Sequence, residues 1–146
     1  MKYTEYLQTL DHDKCPFCEP GQRVYRKNDA AYLTYALAPY HRHHLLIIPN
    51  RHVLSMLDMS EAEHAQFWHL IREGMETMRK LGYENLSVLV REGEVGAIKS
   101  VAHLHYHIIP NHRIGDLDIN GEARKILTEE EVEEISKELL AVMPLN

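Results

Sequence analysis

Residues 103–110 read HLHYHIIP, which places imidazoles at His103, His105 and His107. Side chains at i, i+2 and i+4 of a strand share one face. The three histidines are therefore expected to project together, with Leu104, Tyr106 and Ile108 on the opposite side. Imidazole is a common metal ligand, and with a reference pKa of about 6.5 it is also a nucleophile near neutral pH. Three arrangements are open: a metal site, a reacting site, or a division of both among the three. A flat strand rising roughly 3.3 Å per residue spreads positions i to i+4 over about 13 Å, so one ion would not readily collect all three.

A second group is Cys15-Pro16-Phe17-Cys18, which holds both cysteines of the chain. Two thiols three residues apart do not make a disulfide framework. A zinc clip and a redox pair both remain open, although a thioredoxin-like pair would sit at a strand-to-helix junction that this pattern lacks. Zinc needs four ligands in a tetrahedron, of which the cysteines supply two.

These groups must be positioned by strands and helices. RVYRKN (23–28) and AYLTYAL (31–37) read as strands joined by turn chemistry at Asn28-Asp29. HLLIIP (44–49) is a short apolar strand. Ser60-Glu61-Ala62-Glu63 has the form of a capping box. The spacing of Phe67, Trp68, Ile71, Met75 and Met78 predicts a long helix behind it, ended at Gly82. NLSVLVR (85–91), a glycine-containing loop and HLHYHII follow as strand, loop and strand. Thr128-Glu129-Glu130-Glu131 opens a C-terminal helix with Val132, Ile135, Leu139 and Val142 on one side. The expected fold class is α+β: an antiparallel sheet of about five strands, a long helix after the third strand and a C-terminal helix, in a single domain over 1–146.

HLHYHII resembles the His-x-His-x-His signature of the histidine triad superfamily of nucleotide hydrolases and transferases. HHLLIIPNRHV (43–53) resembles that family's upstream histidine strand and turn. Cys15-Pro16-Phe17-Cys18 resembles the N-terminal C-x-F-C of its zinc-containing members. The three motifs occur in the family order over about residues 15–112.

The resemblance implies a homodimer in which His105 attacks an α-phosphorus and forms a nucleotidyl-histidine intermediate, with His107 as its phosphate-side partner and His44 as orienter. It implies Ser100 as a contact to the leaving group. Resemblance to the zinc-bearing branch implies a structural zinc ion on Cys15, Cys18, His52 and His103. The first triad histidine then turns to metal, while His105 and His107 remain for phosphate. The expected substrate is a nucleoside phosphoramidate or a dinucleoside polyphosphate such as diadenosine tetraphosphate. A phosphorylase or nucleotidyltransferase differs only in the acceptor, and a non-catalytic zinc-stabilised nucleotide-binding module is a further alternative.

The chain departs from the family pattern at three places. Ile98-Lys99-Ser100 stands where many members have Gly-Gln-Ser. Arg91 replaces an asparagine at the end of the strand before the loop, and arginine suits a polyphosphate. Ala36 stands where a ribose-binding carboxylate or amide is expected. Lys99 and Arg91 are accordingly candidate substrate contacts, and backbone amides around Gly93 and Gly96–Ser100 are candidate anion contacts. The remaining histidines, His12, His41, His43, His64, His69 and His112, are read as solvated or surface residues, with His12 alone placed where it could substitute as a zinc ligand.

A chain of 146 residues with 26% charged and 45% hydrophobic residues is long enough to bury a core. Its net charge of −6 speaks against a general nucleic-acid binder but leaves room for a small anion at a local site. No apolar run approaches the ~20 residues of a membrane span, and MKYTEYLQTL lacks the apolar core of a signal peptide. A cytoplasmic protein without membrane or nucleic-acid partners is expected.

Overall fold

The computed structural model describes residues 1–11, 13–20, 24–95, 99–113 and 115–144. They group into two compact units, one over residues 1–113 and one over 114–146.

The first unit holds helix α1 (Tyr3–Thr9), strands β1 (Val24–Lys27), β2 (Ala31–Tyr35) and β3 (Leu45–Pro49), helix α2 (Glu61–Lys80), and strands β4 (Leu86–Val90) and β5 (Tyr106–Pro110). The five strands form one antiparallel sheet in the order β1-β2-β3-β5-β4. Asn28 makes the β1–β2 turn. Its Oδ1 accepts from the backbone N–H of Ala30 and Ala31 at 3.0 and 2.9 Å, while its Nδ2 donates to the Gln66 carbonyl at 2.8 Å. One side chain thus closes the hairpin and ties it to α2.

Alternation sorts the strand residues onto two faces. Leu33, Leu45, Ile47 and Ile108 pack with Phe67, Leu70, Ile71 and Met78 of α2 into the main core. Tyr32, Ala36, Leu46 and Ile48 gather on the other face with Phe17 and Val24. Ser60 caps α2 as expected: its hydroxyl accepts from the Glu63 N–H, and the Glu63 carboxylate takes the Ser60 N–H. Gly74 lets α2 approach the sheet, since a Cβ there would fall 2.5 Å from Ile108 Cδ1 and 3.3 Å from Leu33 Cδ1.

Two readings of α2 and β5 need correction. Trp68 is 55% exposed and lies outside the buried stripe, which runs through Phe67, Leu70, Ile71, Gly74 and Met78. That set recurs every three to four residues, and Trp68 sits about 100° around the helix from Phe67. The ladder of β5 begins only at Tyr106, so His103 and His105 precede it. Their stretch is held by other bonds: Leu104 N–H donates to the Val53 carbonyl at 2.7 Å, and His103 pairs with Pro49. The side-chain alternation nevertheless continues, because Leu104 lies in the α2-side core with Tyr106 and Ile108.

In the second unit, α3 (Glu129–Val142) starts at Thr128 with the expected capping box. Its apolar stripe of Val132, Ile135, Leu139 and Val142 is exposed. None of the helices is long and apolar enough to cross a membrane, among the described residues.

Candidate active site

His44, at the mouth of β3, and His107, in β5, are buried and meet directly: His44 Nε2 lies 2.9 Å from His107 Nδ1. The bonds on the far nitrogens fix the direction of this contact. The Tyr40 backbone N–H can only donate, and it reaches His44 Nδ1 at 3.2 Å. A neutral imidazole with an accepting Nδ1 carries its proton on Nε2. His44 therefore donates to His107 Nδ1, which leaves the His107 proton on Nε2.

His105 is set the opposite way. Its Nδ1 lies 2.7 Å from the His103 carbonyl, which can only accept. The proton is on Nδ1, and among the described residues the Nε2 lone pair has no hydrogen-bond partner. The His105 and His107 rings are 4.9 Å apart, centroid to centroid. The pair therefore presents one unshared lone pair beside one N–H donor.

Burial keeps these rings neutral. It lowers His44 to about 4, aided by the Arg91 and His105 charges, and lowers His107 to about 3, aided by His105, His44 and Arg91. His105 is lowered as well, first by burial and then by the positive charges of Lys99 and Arg91, against the opposing pull of the His103 carbonyl.

His103 turns away from this pair. Its Nε2 lies 2.8 Å from the Pro49 carbonyl, which fixes that proton and aims the Nδ1 lone pair at the cysteines. Nδ1 is 3.3 Å from Cys15 Sγ and 3.5 Å from Cys18 Sγ, and His52 Nδ1 is 3.2 Å from Cys18 Sγ. The four ligand atoms lie within 4.8 Å of one another. Tetrahedral zinc with bonds of about 2.0–2.3 Å separates its ligands by about 3.3–3.8 Å, so this Cys2His2 set fits a metal ion. Burial and the neighbouring Cys15 push the Cys18 thiol up to about 11, and a divalent cation reverses that preference by favouring thiolate.

The sequence-predicted residues thus fall into two adjoining groups. Cys15, Cys18, His52 and His103 form a Cys2His2 cluster that could hold a metal ion, while His44, His105 and His107 form the imidazole group. Arg91 and Lys99 act on the latter by charge. Ser100 lines a cleft of about 500 Å³ with Cys15 and His52, and its Oγ hydrogen-bonds the Tyr3 hydroxyl of α1. Gly96 and Ile98 of the loop, and His12, lie outside the described residues. His43 Nδ1 meets the Tyr83 hydroxyl at 2.7 Å, and His64 Nε2 meets the Met56 carbonyl at 3.0 Å. His112 stacks on Tyr40.

Three contributors were not among the predicted site residues. Tyr40 supplies the backbone N–H that sets the His44 tautomer, and its ring neighbours His44, His112 and the Arg91 guanidinium. Phe17, inside the CPFC motif, puts its ring edge-on against both His103 and His105 at 5.9 and 5.1 Å. Tyr3 reaches Ser100 across 97 residues of sequence.

A lone pair and an N–H donor thus stand side by side on a five-stranded antiparallel sheet, next to a Cys2His2 cluster. A family model described as HIT domain matches residues 19–114, and the chain belongs to that family of nucleotide hydrolases and transferases. An uncharacterised HIT-like protein of Methanocaldococcus jannaschii is 28% identical over 130 residues, covering 83% of this chain and 98% of that protein. The adenosine 5'-monophosphoramidase hnt1 of Schizosaccharomyces pombe is 34% identical over 74 residues, or 51% of this chain and 53% of that one. A HIT family member from Bacillus subtilis shares the fold with a TM-score of 0.71 at 18% identity, over 91% of this chain and 99% of that chain.

Proposed function

We propose that the chain is a nucleotide hydrolase or transferase that cleaves at an α-phosphate through a nucleotidyl-histidine on His105. The observation that carries this reading is the bond from His105 Nδ1 to the His103 carbonyl, which leaves Nε2 as the free nucleophilic nitrogen beside the His107 donor. Similarity to a protein named as a phosphoramidase adds support for phosphorus chemistry.

In the first step the Nε2 lone pair forms a bond to the α-phosphorus, and the bond from phosphorus to the leaving group breaks. The leaving group departs with that electron pair, a polyphosphate as the anion and an amine with a proton taken from solvent. His107 Nε2–H donates to a phosphoryl oxygen, where negative charge gathers in the transition state. His44 holds His107 in the donating tautomer. In the second step water attacks phosphorus, the P–N bond breaks, and its electron pair returns to His105 Nε2. The water proton passes to solvent, and a nucleoside monophosphate leaves. With phosphate or another acceptor in place of water, the same intermediate gives transfer. Splitting one displacement into two lowers each barrier.

Cys15, Cys18, His52 and His103 would hold a structural zinc ion, which would tie down the CPFC loop that carries Phe17, whose ring lies edge-on to His105. Ser100 is the proposed leaving-group contact. The working unit is a homodimer: β4 is an edge strand with Val88 exposed, which supports association there. Light scattering on the purified protein tests that point.

The chemical test is mass spectrometry of protein quenched during turnover of adenosine phosphoramidate or diadenosine tetraphosphate. A nucleotidyl adduct on His105, absent from His105→Ala, is expected. Equal turnover by wild type and His105→Ala removes the proposal. Nucleotide binding without turnover across both substrates would leave a binding module.

A further inference from the structure

We infer that Cys15 and Cys18 form a reversible oxidation site: a hydroperoxide joins them as a disulfide, which empties the metal cluster and disarms His105. This rests on the reading of Cys15, Cys18, His52 and His103 as metal ligands.

The two thiols are placed for one another. The Cys18 N–H donates to the Cys15 carbonyl at 3.3 Å, so CPFC closes as a turn. Such a turn keeps its end Cα atoms within about 7 Å, close to the reach of a disulfide. Both Sγ atoms converge on one nitrogen, His103 Nδ1, at 3.3 and 3.5 Å. Neither thiol is sealed in the core. Cys18 is exposed, Cys15 is half-buried, and a cleft of about 500 Å³ opens beside Cys15 and His52.

The charges around the pair select the oxidant. Asp11 and Asp13 line the cleft with Lys14, and Glu19 follows Cys18 in the chain. This negative collar repels an anionic disulfide such as glutathione disulfide and leaves a neutral hydroperoxide unhindered.

With hydrogen peroxide, the Cys18 thiolate attacks one peroxide oxygen. An S–O bond forms, the O–O bond breaks, and hydroxide leaves with the electron pair and becomes water. The Cys15 thiolate then attacks the Cys18 sulfur. The S–S bond forms, the S–O bond breaks, and the second hydroxide also becomes water. Two thiolates lose two electrons, the peroxide gains them, and solvent supplies two protons. Thiolate is the metal-ligating form of cysteine, so only His52 and His103 remain as ligands and the ion is released.

Two contacts carry the change to the reacting histidine. His103 faces the thiols with Nδ1, while its carbonyl accepts the His105 Nδ1–H at 2.7 Å, the bond that sets the His105 tautomer. Phe17 sits inside the CPFC turn, and its ring stands edge-on to His103 and His105 at 5.9 and 5.1 Å. Thiolates on tetrahedral zinc stand about 3.8 Å apart, and disulfide sulfurs about 2.05 Å. Closing that gap moves the ends of the turn, and Phe17 and His103 move with them.

The test exposes untagged, zinc-loaded protein to excess hydrogen peroxide. A chromogenic chelator follows zinc, peptide mapping by mass spectrometry follows the thiols, and imidazole NMR follows the His105 ring. Zinc release, a Cys15–Cys18 disulfide and a shift of the His105 signals should share one rate. Turnover of adenosine phosphoramidate should fall by roughly 100-fold, as for a misplacement of about 1 Å at a reacting group. A dithiol reductant with added zinc should reverse all four changes. Glutathione disulfide should act about tenfold more slowly. Cys18→His keeps four ligand groups but one thiol, and it should hold its zinc and its His105 signals through the same treatment. Where that variant does not load zinc, the shared rate in wild type decides instead. Zinc and both thiols retained under peroxide overturn the inference and leave the metal reading intact. Protein that purifies with reduced thiols but no zinc removes the metal reading and the inference with it. Zinc release with unmoved His105 signals overturns the coupling. His105 signals that move in a protein without turnover uphold the inference and remove the enzyme reading instead.

Discussion

His44 Nε2 stands 2.9 Å from His107 Nδ1, and the Tyr40 backbone N–H stands 3.2 Å from the other nitrogen of His44. A main-chain donor thereby sets the proton position on one histidine, and that histidine sets it on the next. The outcome is an N–H at His107 Nε2 that no titration near neutral pH disturbs.

Replacing His44 tests this chain of tautomers. His44→Leu frees His107 Nδ1 to take the proton, so kcat should fall by roughly 10–100-fold with little change in KM. His44→Asn can still donate an amide N–H and should recover part of the loss. Steady-state kinetics of the two variants check it, and a His44→Leu enzyme with wild-type kcat would dismiss the relay.

The same pair predicts an acid limb in stability. Unfolded histidine titrates near 6.5, whereas folded His44 and His107 are held at about 4 and about 3. Above pH 6.5 both are neutral in either state, and their contribution is complete. As pH falls from 6.5 towards 4 the unfolded chain binds protons that the folded chain refuses. Stability then drops by about 1.4 kcal/mol per pH unit for each group. Urea midpoints at pH 7 and pH 5 measure this, and the His44→Leu, His107→Leu double variant should show a flatter slope.

Metal removal should loosen the CPFC loop. Loss of a bound ion at Cys15, Cys18, His52 and His103 is expected to cost about 2 kcal/mol or more, a fall of roughly 5–10 °C in Tm for a chain of this size. Cys15→Ser should reproduce the fall and abolish stoichiometric zinc in elemental analysis of untagged protein. Full zinc content in that variant would rule out the four-ligand assignment.

Gly74 offers a test of the packing that supports the site. A side chain there meets Ile108 and Leu33, the first of which neighbours His107 in β5. Gly74→Val should destabilise by about 1–3 kcal/mol through overpacking. Chemical denaturation checks it, and a variant as stable as wild type would show that Ile108 can yield at no cost.

Much of the framework was legible because it is local. Ser60 and Thr128 are caps by virtue of a glutamate three residues on, and both capping boxes are present. Asn28 turns the first hairpin with its own side chain. Resemblance to the zinc-bearing members of the family put Cys15, Cys18, His52 and His103 in one set, which the structure gathers into one cluster. Trp68 was misplaced because an apolar side chain beside the stripe looks the same in sequence as one within it. The α3 stripe was legible as one side of a helix, and it is exposed, because periodicity reports amphipathicity and does not say what covers it.

By itself, then, the sequence determined the sheet-forming strands, both capped helices and which side chains could do chemistry, since these depend on residue type and short spacing. Tertiary structure decided what each histidine does. His103, His105 and His107 are chemically identical, and their roles diverge only because a Pro49 carbonyl, a His103 carbonyl and the His44 ring each claim a different nitrogen. Two of those three claims come from more than 50 residues away, where only the folded chain could deliver them.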